Sequence, residues 1–226
     1  MNYQLIYADP PWTYRDKCHA GERGAGYKYP TMTLQDIMAL PVQGLAAPDC
    51  VLAMWWVPPM PVEAIKVVQA WGFTLKTMKL FTWHKTTKNG LDHFGMGNWT
   101  RANSEDCLIA VRGSPKRVAK GVRQMIHAQV REHSRKPDEA RDRLVELMGD
   151  VPRIELFARE KVNGWHAWGF DIFSPDVELV DPAQAGGGLV TPASTGAPYL
   201  RTSADLLGGA ARAPETDEEQ DGVGSE

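Results

Sequence analysis

The chain has 226 residues, of which 43% are hydrophobic and 23% charged, and its formal net charge is −3. This length and apolar content suit one globular domain with an extension. There is no run of 18 apolar residues to predict a membrane span, and residues 1–8 lack the cationic start of a secretory signal. The three cysteines, Cys18, Cys50 and Cys107, fit neither a disulfide framework nor a zinc site, which favours a reducing cytoplasm.

Charge is unevenly distributed along the chain. Residues 174–226 hold 10 acids and 2 bases, which leaves 18 acids and 23 bases in residues 1–173. The C-terminal stretch is also rich in Gly, Ala, Pro, Ser and Thr. We therefore predict a folded domain over residues 1–173 and a disordered tail over residues 174–226. A mildly cationic body suits a polyanionic substrate, although the same charge is ordinary for a soluble domain.

Strand and helix patterns alternate through the predicted domain, which indicates an α/β fold. Apolar runs predict strands over residues 4–8, 50–57, 73–85, 105–111, 125–130 and 154–158. Helical spacing and capping residues predict helices over residues 33–40, 61–72 and 137–148. This order favours a mostly parallel sheet with right-handed crossovers and helices on both faces. No Gly-x-Gly-x-x-Gly turn supports a dinucleotide site.

The first strand ends in Asp9-Pro10-Pro11-Trp12. The prolines stiffen the turn, and ligands of open α/β sheets bind at the carboxyl ends of the strands. A carboxylate from Asp9 and the carbonyl of Pro10 can accept the two N–H bonds of an exocyclic purine amine, which frees the nitrogen lone pair. Trp12 can stack on the base. The alternative is an ordinary Asp-Pro turn beside a core tryptophan.

Five stretches occur in one order along residues 5–171: Asp9-Pro10-Pro11-Trp12; Tyr29-Pro30-Thr31-Met32; Glu105-Asp106-Cys107-Leu108; His133-Ser134-Arg135-Lys136-Pro137-Asp138-Glu139; and Ile154-Glu155-Leu156-Phe157-Ala158-Arg159 with the later Gly164-Trp165 and Trp168-Gly169. Together they resemble the DPPW adenine-N6 methyltransferases, the family of the mRNA adenosine N6-methyltransferase and its bacterial and phage relatives. The resemblance implies a Rossmann-like methyltransferase fold that uses S-adenosylmethionine, with the catalytic motif preceding the cofactor segment.

The resemblance also implies the reaction, in which adenine N6, held by Asp9 and the Pro10 carbonyl, attacks the sulfonium methyl. Asp9, Pro10, Pro11 and Trp12 are then the catalytic residues. The implied substrate contacts are made by Tyr29, Asn103 and Glu105. Trp56 is a further candidate for the same cleft, because its strand ends in tryptophans and prolines as the first strand does. Their alternatives are a packed tyrosine ring, a tryptophan alternating between core and surface, a turn residue and a strand-end salt bridge.

The implied cofactor contacts are Ala8, Asp9, Lys136, Phe157, Arg159, Gly169 and Asp171. The alternatives are a core phenylalanine for Phe157 and surface ion pairs for Lys136 and Arg159. The chain departs from the best-known eukaryotic members, because no histidine follows Arg159 and Gly169-Phe170-Asp171 replaces their Gly-Asn-Gln. We expect Asp171 to serve instead as a hydroxyl acceptor.

Nucleic acid is the implied partner, with DNA favoured over RNA because the compact body resembles the small DNA-methylating members. An RNA methyltransferase and a catalytically inactive nucleic-acid-binding partner are the alternatives, and the intact Asp-Pro-Pro-Trp motif argues against the second. Residues 112–136 hold eight bases and one acid, which suits phosphate contacts or a solvated face.

Overall fold

A computed structural model describes residues 2–13, 32–95, 97, 99–131, 135–169, 172–177 and 179. Seven strands form one sheet in the order β5-β3-β4-β2-β1-β6-β7. The strands are β1 (Tyr3–Ala8), β2 (Ala46–Trp56), β3 (Thr74–Thr86), β4 (Ser104–Arg112), β5 (Met125–Gln129), β6 (Arg153–Leu156) and β7 (His166–Trp168). The helices in the described ranges are α1 (Leu34–Ala39), α2 (Pro61–Ala70) and α3 (Asp138–Met148), with a 3-10 turn at Val42–Gly44.

The sheet is mixed, and β4 is the reason. Four of its six pairings are parallel, as the sequence predicts, but β4 runs antiparallel to both of its neighbours, β2 and β3. Strands β2 and β3 still run in the same direction, because one reversed strand lies between them. The reversal puts the first residues of β4 at the sheet edge where β1 and β2 end.

Helices cover both faces of the sheet, as the sequence predicts. Side chains alternate along β1, so that Ile6 packs with the residues of α1 and α2 while Leu5 and Tyr7 pack with those of α3. Strand β2 is buried continuously from Cys50 to Trp55, which is typical of a central strand covered on both sides.

The helix ends follow the predicted signals. Thr33 caps α1, with its Oγ1 accepting from the Asp36 backbone N–H and the Asp36 carboxylate accepting from the Thr33 backbone N–H. Helix α2 begins at Pro61, and Gly149 follows α3 with φ 78°. None of the helices in the described part of the chain has the length and apolar content that a membrane crossing needs.

Three features near the C-terminal end of the domain differ from the sequence prediction. Strand β6 ends at Leu156 rather than at residue 158, because Phe157 turns out of the strand with φ 61°. Strand β7 was not predicted, since its three residues are too few for a periodic signal. Asp176 and Leu179, which the sequence places in the tail, contact the body: Asp176 accepts from the Ala167 backbone N–H, and Leu179 is buried in the core. Most of residues 174–226 lie outside the described ranges, so the disordered tail stays a prediction.

Gly169 allows a close approach of two backbone segments after β7. A Cβ at this position would lie 2.1 Å from the Ala158 carbonyl oxygen and 2.6 Å from its nitrogen, whereas a Cβ at Gly121 would meet nothing within 4 Å. We predict that Gly169→Ala lowers the free energy of unfolding by about 1–3 kcal/mol, as overpacking does. The matched variant Gly121→Ala should change it by less than about 1 kcal/mol. Urea unfolding followed by circular dichroism measures both, and equal stability of the two variants would contradict the close packing.

Candidate active site

The carboxyl ends of three strands meet at one edge of the sheet. Ala8, the last residue of β1, pairs with Met54 of β2 and with Leu156 of β6. Asp9 therefore leaves the sheet between the end of β2 and the turn at Phe157. The reversed β4 starts at the same edge, where Asp106 pairs with Trp56. Parallel strand ends of this kind form the usual ligand site of α/β sheets.

The Asp-Pro-Pro-Trp turn is held by its own backbone and by the core. The Trp12 backbone N–H donates to the Pro10 carbonyl at 2.9 Å, and the Met32 N–H donates to the Pro11 carbonyl at 3.1 Å. The Trp12 indole Nε1 donates to the Trp55 carbonyl at 3.1 Å, and its side chain is only 5% exposed. The packing alternative for Trp12 is thus realised in this structure, while stacking on a base stays a prediction.

Four charged side chains form a chain of ion pairs, here called the acid–amine cluster: Asp9, Lys136, Glu105 and Lys85. Lys136 Nζ lies 2.8 Å from Asp9 Oδ2 and 3.2 Å from Glu105 Oε2. Lys85 Nζ lies 2.5 Å from Glu105 Oε1. Two acids thus face two ammonium groups in a partly buried position, which leaves the cluster neutral overall.

Aromatic side chains lie beneath the cluster. Lys136 Nζ is 5.7 Å from the centre of the Trp55 ring, within the range of a cation–π interaction. The Trp55 Nε1 donates in turn to the Tyr7 hydroxyl at 2.6 Å. Each polar atom of this floor therefore has a partner, as buried polar groups require.

The cluster shifts the ionisation of its members. Burial raises the pKa of Asp9, an effect that Lys136 opposes without cancelling. Burial also disfavours the charged forms of Glu105 and Lys136, but the opposite charges of their neighbours outweigh this effect. The pKa of Glu105 is therefore lowered, by Lys136 and Lys85, and that of Lys136 is raised, by Asp9 and Glu105. Lys136 is thus a firm cation, and Asp9 holds a proton more readily than an exposed aspartate does.

The structure brings together three of the predicted site residues, Asp9, Glu105 and Lys136. Glu105 does form a strand-end salt bridge, the alternative to a substrate contact, and Lys136 pairs with acids of the chain itself. The Trp56 Nε1 donates to the Met78 carbonyl at 3.0 Å, and the Asn103 carbonyl accepts from the Lys85 N–H at 2.8 Å. The proposed substrate or cofactor contacts of all these side chains stay predictions.

The predicted cofactor segment lies next to Asp9. Phe157 is buried, and its ring packs edge-on to Trp168 with 5.4 Å between centres. Arg159 is half-buried, and its charge acts to lower the pKa of Asp9. Gly169 packs against Ala158 as described above. Tyr29 and Asp171 lie outside the described residues.

Sequence reasoning missed Lys85, Trp55 and Tyr7 as members of this site. Lys85 reaches Glu105 only because β3 and β4 pair antiparallel, with Trp83 opposite Glu105. The alternating pattern of β3 indicates a strand but not its partner. To find the contact between Lys85 and Glu105 from the sequence, one would have needed the pairing register of β4 with β3.

A second ion-pair network lies along α3, beside a pocket of about 610 Å³. Buried Arg141 bonds Glu155 at 2.9 Å, and it also pairs with Asp138 and Glu160. Arg135 pairs with the same two acids. These contacts fix the start of α3, which Lys136 precedes by two residues, to the segment that follows β6.

The basic stretch of residues 112–136 divides into two parts. Its last described bases, Arg131, Arg135 and Lys136, make ion pairs within the chain. Its middle bases lie on the loop after β4, where the Val118 N–H donates to the Leu147 carbonyl at 2.8 Å. Leu147 is in the last turn of α3, at the opposite edge of the sheet from Asp9. The middle bases are therefore poorly placed for phosphates near Asp9.

A mixed α/β sheet with this edge is consistent with a Rossmann-like methyltransferase fold. The chain belongs to the MT-A70 family, whose sequence model matches residues 3–171. It is 33% identical over 200 residues to the Type II methyltransferase M.MunI of Mycoplasma sp, a match that covers 80% of this chain and 82% of the relative. The recognition of the family from its motifs is thus confirmed, and methyl transfer is the class of reaction it supports.

Eukaryotic relatives match over a smaller share of their length. The N6-methyladenosine RNA methyltransferase MTA1 of Pyricularia oryzae is 32% identical over 184 residues, which cover 76% of this chain and 47% of the relative. The human N(6)-adenosine-methyltransferase catalytic subunit METTL3 is 27% identical over 161 residues, which cover 70% of this chain and 26% of the relative. The chain therefore spans most of the bacterial relative and less than half of these two.

The Asp9–Lys136 pair leads to a prediction about pH. Because Lys136 opposes the upward shift of the Asp9 pKa, Lys136→Gln should raise that pKa further. If methyl transfer needs ionised Asp9, the acid limb of the turnover–pH profile should then move to higher pH, with a loss of about tenfold per pH unit below it. Lys136→Arg keeps the positive charge and should keep the limb near its original position.

Turnover at saturating S-adenosylmethionine, measured across pH for the unmodified chain and both variants, checks this. An unshifted limb in Lys136→Gln would show that the pair does not control the ionisation on which turnover depends.

Proposed function

We propose that this chain is an S-adenosylmethionine-dependent methyltransferase that modifies the N6 amino group of adenine in DNA. The observation that carries the proposal is the Asp9 carboxylate, held at the meeting point of β1, β2 and β6 and beside the Phe157 turn. This geometry can grip an amino group and direct it toward the predicted cofactor segment.

Two acceptors are available to the adenine amine. The Asp9 carboxylate has acceptor positions beyond the one that Lys136 uses, because an ionised carboxylate has about four. The Pro10 carbonyl accepts one N–H from Trp12 and keeps a second lone pair. When both accept from N6, the nitrogen moves toward tetrahedral geometry and its lone pair points away from both acceptors.

The described residues fit the amino-acid end of S-adenosylmethionine. Lys136 offers an ammonium to a carboxylate, and Asp9 offers a carboxylate to an amino group, at adjacent positions. Phe157 offers an apolar surface next to them. When bound, S-adenosylmethionine supplies a methyl group on a positively charged sulfur. N6 can attack this methyl group directly, and the carbon–sulfur bond breaks as the N6–CH₃ bond forms.

Catalysis then consists of orientation and electrostatics. Asp9 and Pro10 hold the nucleophile, and the ion pair with Lys136 holds the Asp9 carboxylate in place. After the N6–CH₃ bond forms, the nitrogen carries a positive charge and loses a proton easily. The Asp9 carboxylate, whose pKa is raised by burial, is in contact with that proton and can take it.

The comparison with relatives supports DNA over RNA by coverage. The relative that the chain spans for 82% of its length is a Type II methyltransferase, whereas the named RNA methyltransferases extend far beyond the match. An RNA substrate is the second candidate, because the matches to the named RNA methyltransferases cover 70–76% of this chain. Incubation with labelled S-adenosylmethionine and matched DNA and RNA oligonucleotides separates the two, and label in RNA alone would reverse our choice.

Asp9→Asn is the direct test of the proposed mechanism. The variant keeps the size of the side chain but removes the charge, so we expect turnover to fall by about 10²–10³-fold, as when one electrostatic contact to the reacting group is removed. The matched control is Asp49→Asn, because Asp49 binds the Ser114 backbone at the opposite sheet edge. Its turnover should stay within about twofold of the unmodified chain.

Calorimetry with S-adenosylmethionine should give binding heat for both variants, with weaker binding in Asp9→Asn because its charge also faces the amino group of the cofactor. Near-normal turnover of Asp9→Asn would exclude the mechanism. Absence of binding heat in the unmodified chain would favour the catalytically inactive nucleic-acid-binding partner.

A further inference from the structure

The loop between β3 and β4 exposes an unusual amount of apolar surface. We call residues 87–103 the aromatic loop; residues 96 and 98 lie outside its described part. Trp99 is 99% exposed, Phe94 is 74% exposed and Leu91 is 68% exposed. Single exposed apolar residues are ordinary, but a fully exposed tryptophan close in sequence to an exposed phenylalanine is not. The described part of the chain therefore leaves this apolar surface open to a partner.

Hydrogen bonds fix the middle and the C-terminal end of the aromatic loop to Lys85 of the acid–amine cluster. The His93 N–H donates to the Lys85 carbonyl at 3.0 Å, and the Lys85 N–H donates to the Asn103 carbonyl at 2.8 Å. The Nζ of the same Lys85 binds Glu105 in the cluster. The aromatic loop therefore projects from the sheet edge where Asp9 lies, and whatever contacts it lies close to a substrate held at Asp9.

The charges on the aromatic loop match a polyanion. The Arg101 guanidinium packs over the Phe94 ring at 5.0 Å, and both Arg101 and Lys88 are exposed. Its one acid, Asp92, is engaged with His84 Nε2 at 2.8 Å. An aromatic face beside a guanidinium is suited to a nucleic-acid strand, since bases stack on the ring while the cation meets phosphate.

We propose that the aromatic loop binds DNA, with Trp99 and Phe94 stacking on bases that flank the target adenine and Arg101 contacting the adjacent phosphate. The position of the target rests on the proposed function, whereas the binding itself does not. A second copy of the chain is the competing occupant. Stable dimers usually bury about 800 Å² per partner, an area that three side chains of one loop do not supply by themselves.

Binding of a fluorescein-labelled single-stranded DNA of mixed sequence, measured by anisotropy, tests this inference. Stacking tolerates sequence, so the recognition site need not be known. We expect Trp99→Ala and Phe94→Ala each to raise the Kd by roughly 5- to 150-fold, the range for loss of one stacked base. The matched control, Phe173→Ala, removes an aromatic side chain that is 94% exposed outside the aromatic loop, and its Kd should not change.

A salt titration separates stacking from charge. Arg101→Gln should make the dependence of log Kd on log salt shallower by about 0.7, the value for one phosphate contact to a single strand, whereas Trp99→Ala should leave the slope unchanged. Light scattering of the same variants reports the oligomeric state. Any one of three results overturns the inference: no DNA binding by the unmodified chain, unchanged Kd values in the aromatic variants, or a change from dimer to monomer in place of weaker binding. An effect of the variants on RNA binding alone overturns the assignment to DNA.

Methyl transfer measured in parallel keeps the two proposals distinct. DNA binding that depends on Trp99, with no methyl transfer by the unmodified chain, would refute the proposed function and leave this inference standing. Methyl transfer by the unmodified chain, together with unchanged DNA binding by Trp99→Ala, would refute this inference and leave the proposed function standing.

Discussion

The ion pair between Asp9 and Lys136 is the interaction on which the site depends. A carboxylate taken from water into a partly buried corner is costly, and removing one member of such a pair typically costs about 3–5 kcal/mol. Lys136 offsets this cost from the segment just before α3, and Glu105 and Lys85 extend the compensation to β4 and β3. The pair therefore joins elements that are 127 residues apart in sequence. It also couples the ionisation of the acid to the position of α3.

Local signals in the sequence predicted most of the fold. Thr33, Pro61 and Gly149 marked helix ends correctly, because capping and proline effects act within a few residues. The direction of β4 and the existence of β7 were not accessible in the same way. A strand pattern gives which side chains share a face but not the neighbour or its direction, and three residues give no period at all.

The candidate site was predictable in part for the same reason. Asp9 followed from a strand that ends in two prolines, and its chemistry from what a carboxylate and a carbonyl can accept. The partnership of Glu105 with Lys85 required the antiparallel register of β3 and β4, and that of Lys136 with Glu105 required the reversed direction of β4 beside β2. Family motifs brought Glu105 and Lys136 to attention, but only the folded chain shows that they bind each other. The packed position of Trp12 was likewise one of two alternatives that a tetrapeptide alone leaves equal.

The bonds around Met32 have a consequence for the turn that carries Asp9. The Met32 N–H binds the Pro11 carbonyl, and the Met32 carbonyl accepts from Thr13 Oγ1 at 2.6 Å. Thr13 and Met32 are thus bonded to each other next to Asp9, and none of these bonds involves the Asp9 side chain. The backbone of the Asp-Pro-Pro-Trp turn is therefore held by contacts that do not depend on the carboxylate. Removing the charge of Asp9 can abolish its chemistry and still leave the shape of the turn intact.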